Sequence, residues 1–342
     1  MNYGWFIPAV ALVSFLLTWA LRRYALARSL IDIPNARSSH SVPTPRGGGV
    51  AIVLAFLLAL GLLLWGGLIS AAQFAAIAGA GALVAVIGFM DDHGHIAARW
   101  RLLGHFLAAA WLLWWIGGLP PVQLAGVTVD LGVVGHVLAA FYLVWLLNLY
   151  NFMDGIDGIA SVEAICVCIG AGLLGWWSGL PQLAWVSALL VASVAGFLFW
   201  NFPPARIFMG DAGSGFLGIV LGGLSLLAAT FDANLLWSWL ILLGVFIVDA
   251  TFTLFRRLLR GDKVYEAHRS HAYQFASRRF GSHLAVTATV GAINLLWLLP
   301  IAVGVARFGL DGGLGLILAY APLLVLAIRF RAGELEKAPA KD

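Results

Sequence analysis

A chain of 342 residues that is 62% hydrophobic and only 11% charged, with a mean hydropathy of +0.95, lies far from soluble domains, which run about half apolar and a quarter charged. Its formal charge of +4 is an orientation signal and gives no reason to expect a nucleic acid partner. The composition excludes a soluble enzyme and requires an integral membrane protein.

Apolar stretches able to cross a bilayer need roughly 17 to 25 residues. In chain order they read at about 3–22, 48–68, 72–90, 102–118, 133–150, 160–178, 182–200, 214–231, 235–255, 286–306 and 312–329, eleven in all. The first has neither a basic leader nor a small-residue cleavage site, so it reads as an anchor. Connections are short, which predicts one all-α polytopic domain over 1–331 with its backbone groups paired inside helices. The polar tail, 332–342, reads as disordered. Cys166 and Cys168 sit two apart on the sixth segment, as packing residues and not as a disulfide or metal site.

With the N-terminus outside, nineteen of the twenty Lys and Arg residues fall inside, and only Arg307 falls outside. This is the positive-inside pattern, and the odd number of spans places the C-terminus inside as well. Nearly all the polar loops share that inner face: 32–49, 91–101, 151–158, 201–215 and 256–283. A transporter or lipid flippase would carry polar groups near the midplane. Polar residues at helix ends on one face instead favour an enzyme working at the cytoplasmic surface.

Asp91 and Asp92 close the third segment; about 100° apart on a helix, they predict different partners, one a metal or proton, the other an arginine or backbone amide. In "NLYNFMDGIDGIA" (148–160), Asn148, Asn151, Asp154 and Asp157 recur every three residues with Gly155 and Gly158 among them. Three-residue steps drift by about 60° on an ideal helix, so the four share a cavity only if the fifth helix ends there. "FMGDAGSG" (208–215), with Gly210 and Ser214, opens the eighth helix; converging amides there suit a phosphate, and Asp211 suits a magnesium ion bridging phosphate oxygens. His268, Arg269 and His271 suggest anion binding. Arg256, Arg257 and Arg260 are expected to face lipid headgroups, and Asp249 to make a structural pairing.

Five aspartates with one Mg²⁺ still sum to minus three, which repels an anionic substrate. Some must pair with Arg46, Arg206 or His268, face hydroxyls, or share a second metal. The pattern suits phosphoryl transfer, where positioning and charge neutralisation dominate.

"GFMDD" (88–92), "NLYNFMDGIDGIA", "ARIFMGDAGSGFLG" (205–218) and "HRSHAYQ" (268–274), in this order on one face, resemble the polyprenyl-phosphate N-acetylhexosamine 1-phosphate transferases, glycosyltransferase family 4. The resemblance implies attack of undecaprenyl phosphate on a UDP-N-acetylhexosamine, with UMP released, at the bacterial inner membrane. It implies Asp91 and Asp92 as catalytic residues and Asp211 as ligand of Mg²⁺, or alternatively Mn²⁺. Asn148, Asn151, Asp154, Asp157, His268 and His271 are its implied substrate-binding residues, to which the charge and glycine patterns add Arg46, Arg206, Gly210, Ser214 and Arg269. Membrane lipids are the remaining expected partner, and a homodimer is left open. "HRSHAYQ" and "DDHGHIAARWR" differ from the peptidoglycan branch, phospho-N-acetylmuramoyl-pentapeptide transferase, and look more like the transferases that start O-antigen synthesis from FucNAc, QuiNAc or GlcNAc.

Overall fold

The computed structural model describes residues 3–34, 39–94, 96–124, 126–263 and 268–335. Arg37, His95 and positions 336–342 lie outside them. The helices run α1 (Phe6–Ala27), α2 (Val50–Trp65), α3 (Ala71–His93), α4 (Ala98–Ile116), α5 (Gly132–Met153), α6 (Ile159–Trp177), α7 (Pro181–Asn201), α8 (Asp211–Ala229), α9 (Ala233–Leu242), α10 (Gly244–Arg260), α11 (Ala272–Phe280), α12 (His283–Ile293), α13 (Leu299–Arg307) and α14 (Gly312–Arg329). Two small antiparallel hairpins, β1 (Ile31–Asp32) with β2 (Thr44–Pro45) and β3 (Val122–Leu124) with β4 (Val127–Val129), interrupt an otherwise all-helical chain.

Among the described residues eight helices are long and apolar enough to cross a membrane, or nine if α9 and α10 count as one broken span. This is a multi-pass membrane protein. The other two expected segments are helices too, the 16-residue α2 and α4, which carries Arg99 and Arg101 in its first turn. The expected ninth span, 235–255, is broken: α9 and α10 meet at 70° across Leu243.

The core is organised around α8, whose membrane window is 100% buried. Without water to drive association, helices in lipid pack through small residues that let backbones touch. A Cβ on Gly218 would lie 2.6 Å from the Leu147 Cα, so α5 approaches α8 to backbone contact. A Cβ on Gly88 would meet the Asp211 carbonyl and the Ala212 nitrogen at 2.5 Å. That close crossing brings the acidic end of α3 against the first turn of α8.

The tail expectation is corrected in part. Arg331–Glu334 fold back onto the bundle with Ala332 fully buried, because backbone partners on neighbouring segments receive the turn, while Leu335 stays exposed. The arginines of α10 are corrected as well. Arg257 is buried and Arg260 pairs with Asp262, while Arg256 pairs with Glu334, so local carboxylates take these charges instead of headgroups. Both cysteines are free and buried. Glu163 accepts a hydrogen bond from Asn294 at 2.5 Å inside the bundle.

Candidate active site

The acidic ends of α3 and α5 converge on the start of α8. Asp92 caps that helix: its carboxylate accepts the Asp211 and Ala212 amides at 3.2 and 3.3 Å, satisfying donors that a helix N-terminus leaves open. Gly210 has φ +77°, and a Cβ there would meet the Asp92 carboxylate at 2.7 Å. Asp91 points the other way. It accepts the Ile96 amide at 2.8 Å and an ion pair from Arg101, whose guanidinium also lies 3.6 Å from Asp211. The two aspartates thus have different partners, but both carboxylates take backbone amides and only that of Asp91 an arginine.

The fifth helix ends at Met153, as its glycines and aspartates suggested. Asp154 is its C-cap, and Gly158, with φ +74°, starts α6. Tyr150 spans the break, donating to the Ala160 carbonyl at 2.7 Å. Asn201 fastens it from α7, accepting from the Gly158 amide and donating to the Ile207 carbonyl, both at 3.0 Å. The "PRGGG" stretch lies alongside 207–209, with the Gly48 and Gly49 amides on the Phe208 and Met209 carbonyls.

Two cavities open around these elements. The larger, about 660 Å³, is lined by Arg46, Asp92, Asn151, Asp154, Asp157, Phe208, Gly210, Asp211, Ser214 and His283. The smaller, about 320 Å³, is lined by Asp91, Arg101, His105, Asn148, Asn151, Asp154, Asp211, His268 and His271, with Val84, Ile87, Leu147 and Phe152 forming an apolar wall. Asn151, Asp154 and Asp211 belong to both, so the two chambers meet at these side chains.

The family match covers three of the four motifs, those between Gly88 and Gly218. The profile described as glycosyl transferase family 4 matches residues 74–229. A probable undecaprenyl-phosphate N-acetylglucosaminyl 1-phosphate transferase of Bacillus subtilis (strain 168) is 30% identical over 77% of this chain and 74% of its own. The decaprenyl-phosphate N-acetylglucosaminephosphotransferase of Mycolicibacterium smegmatis is 32% identical over 76% and 73%. The undecaprenyl-phosphate alpha-N-acetylglucosaminyl 1-phosphate transferase of Thermotoga maritima is 26% identical over 79% and 81%. The chain belongs to glycosyl transferase family 4. It is an enzyme of the polyprenyl-phosphate sugar-1-phosphate transferase type.

For a family 4 transferase the charge balance now closes differently from the expectation. Arg101, not Arg206 or His268, pairs with Asp91. Arg46 donates to the Asp92 carbonyl at 2.5 Å. His283, overlooked in the sequence, lies 3.3 Å from the Asp157 carboxylate and reaches the Ser39 carbonyl at 3.1 Å with its other nitrogen. Arg206 is exposed, its guanidinium 5.9 and 5.8 Å from the Phe199 and Trp200 rings, a cation–π placement that keeps it out of both cavities. Arg269 also lines neither chamber; its carbonyl accepts from Arg278 at 3.1 Å.

His268 is a neutral partner here. His268 stacks on His271 at 4.9 Å, and enclosure, followed by the neighbouring His271 and Arg257, pulls the His268 pKa down to about 3. His271 sits 3.3 Å from Asp249, which also accepts the Ala272 and Tyr273 amides; Asp249 thus has the structural pairing expected of it. The His271 Nε2 is buried and has no hydrogen-bond partner.

Asp154 and Asp211 are left facing each other at the junction. Enclosure, then the fields of Asp211, Asp157 and Asp92, push the Asp154 carboxyl well above the usual carboxylate range. A divalent cation would relieve that repulsion. Among the described residues no three His, Cys, Asp or Glu side chains form a ready-made metal cage.

Proposed function

We propose that this family 4 enzyme transfers an N-acetylhexosamine 1-phosphate from a UDP-sugar to undecaprenyl phosphate at the cytoplasmic face of the bacterial inner membrane, releasing UMP. The observation that carries the reading is the pair of chambers joined at Asp154 and Asp211. Such a junction lets a donor diphosphate and an acceptor phosphate meet end to end. The larger chamber, with the Phe208 ring beside His40, has the size and polarity of a nucleotide-sugar site. The smaller combines an apolar wall with Arg101 and three imidazoles, which suits a phosphate carried on a prenyl chain.

Asp211 and Asp154 would hold Mg²⁺, with the Asn151 amide beside Asp211. The ion would offset phosphate charge and ease departure of UMP. The chain's own groups position the reactants. Arg101 holds Asp91 toward the acceptor, Asp92 fixes Asp211 through the α8 amides, and the His283–Asp157 contact sets the wall of the donor chamber. The acceptor phosphate is already ionised near neutral pH, so charge shielding matters more than proton removal.

GlcNAc is the first sugar to test, because the relatives above are named for it; FucNAc and QuiNAc follow. The product would start a lipid-linked O-antigen or another surface polysaccharide. The test is transfer of radiolabel by purified protein from each UDP-sugar to undecaprenyl phosphate with Mg²⁺, following UMP and the lipid product. No transfer from any sugar by folded protein would overturn the reading.

A further inference from the structure

The loop carrying His268 and His271 is held from three directions. Asp249 on α10 takes the Ala272 and Tyr273 amides at 2.9 and 3.0 Å. Arg278, within α11, takes the Arg269 carbonyl. The third hold comes from the far end of the chain. After α14 the backbone reverses through Arg331 (φ 54°) and Gly333 (φ 77°), and the Gly333 amide donates to the Ser270 carbonyl at 2.6 Å. Ser270 stands between the two histidines, with its hydroxyl 2.9 Å from His268 Nδ1.

That turn is itself fastened. The Ala332 amide donates to the Ala327 carbonyl at 2.9 Å, and the Ala332 side chain is fully buried. Arg256 donates to the Ala332 carbonyl at 3.1 Å and to Glu334 at 2.9 Å, and Arg260 to the Gly333 carbonyl at 2.6 Å. Phe330 packs edge-on against Phe280 of α11, with centroids 6.0 Å apart. Ending a helix needs none of these anchors; directing one amide at Ser270 does.

We propose that residues 330–334 form a positioning strap, which fixes the Ser270 carbonyl and through it the orientation of His268 and His271 toward the smaller chamber. The inference rests on the reading in which that chamber receives the acceptor phosphate. The strap touches no substrate and acts only through the two histidines. Its loss therefore lowers turnover while sparing the donor, since neither histidine lines the larger chamber.

The test compares the full chain with two shortened forms, one ending at Leu335 and one at Ala332. The longer form is expected to match the full chain. The shorter form is expected to lose at least about tenfold in kcat, with KM for the UDP-sugar within about twofold, and its amides at Ser270–Tyr273 should exchange hydrogen faster in detergent. Unchanged exchange, or wild-type kcat, in the shorter form would overturn the strap, as would an equal loss in the longer one. Should the shorter form not fold, Gly333→Ala replaces it, because a Cβ there sits in left-handed backbone 3.0 Å from the Arg256 Cβ; wild-type kcat and exchange in that variant also overturn the proposal. If the full chain transfers no sugar phosphate at all, the functional reading fails, while the exchange measurement still decides the strap.

Discussion

Replacing Gly88 by alanine tests whether the α3–α8 crossing sets the geometry of the site. The added Cβ would stand 2.5 Å from backbone atoms of Asp211 and Ala212, whereas ordinary contact begins at 3.4 Å. The helices must therefore separate by about 0.9 Å, the difference of those two distances, because backbone cannot rotate aside as a side chain can. Overpacking of this kind costs about 1–3 kcal/mol, which a bundle with α8 wholly enclosed should survive. The catalytic cost is larger, since a misplacement of about 1 Å can lower a rate on the order of 100-fold. The displaced groups are those that matter: Asp92 loses its hold on the first amides of α8, and Asp91 moves away from Asp211. The assay is steady-state transfer of radiolabelled sugar phosphate, alongside thermal unfolding in detergent. Gly61→Ala on α2, where a Cβ meets nothing within 4 Å, is the control and should match wild type. A Gly88→Ala enzyme with wild-type kcat would refute the reasoning.

Asp211→Asn is expected to abolish turnover through loss of Mg²⁺; near-normal activity at low Mg²⁺ would sink that assignment. For Asp91→Asn, a large fall in kcat with little change in UDP-sugar binding is expected, because Asp91 lines only the smaller chamber; an unchanged rate would remove it from the catalytic residues. The depressed His268 pKa gives a pH prediction. The folded protein leaves this ring neutral down to about 3, while the unfolded chain takes up its proton near the ordinary 6.5. Its contribution is complete above about 6.5 and is lost as the pH falls toward 3. His268→Gln should therefore lose less thermal stability than wild type on going from about pH 7.5 to 5, and identical losses would contradict the assignment.

The positions of the helices were legible because each needs a long apolar run, and the ends of α3, α5 and α8 were legible because carboxylates and glycines do not sit in such runs without reason. The break in the ninth span was not. Gly244 is one glycine among 40, and nothing local separates a hinge from a packing contact. At the site, the aspartates could be named in advance but not their partners. Arg101 follows Asp91 by ten residues and returns to it only through the turn between α3 and α4. His283 lies 126 residues beyond Asp157, a pairing made by tertiary packing alone. Arg206 misled because a cation next to a glycine-rich phosphate motif suggests an anion, whereas the neighbouring Phe199 and Trp200 rings offered it a nearer partner. The strap escaped notice because its composition is that of any polar tail.

The enclosure of α8 also bears on how the enzyme responds to its bilayer. With its membrane window 100% buried, against 17% for α1 and 28% for α14, this helix has no acyl chains to match. Hydrophobic mismatch is relieved by tilting or by local deformation of the bilayer, and that adjustment falls on the peripheral helices. Asp211, carried on α8, is thus held apart from membrane thickness, while the α3 and α5 ends that face it, on helices 39% buried, are not, so turnover in vesicles of different acyl length should track how far those two helices tilt.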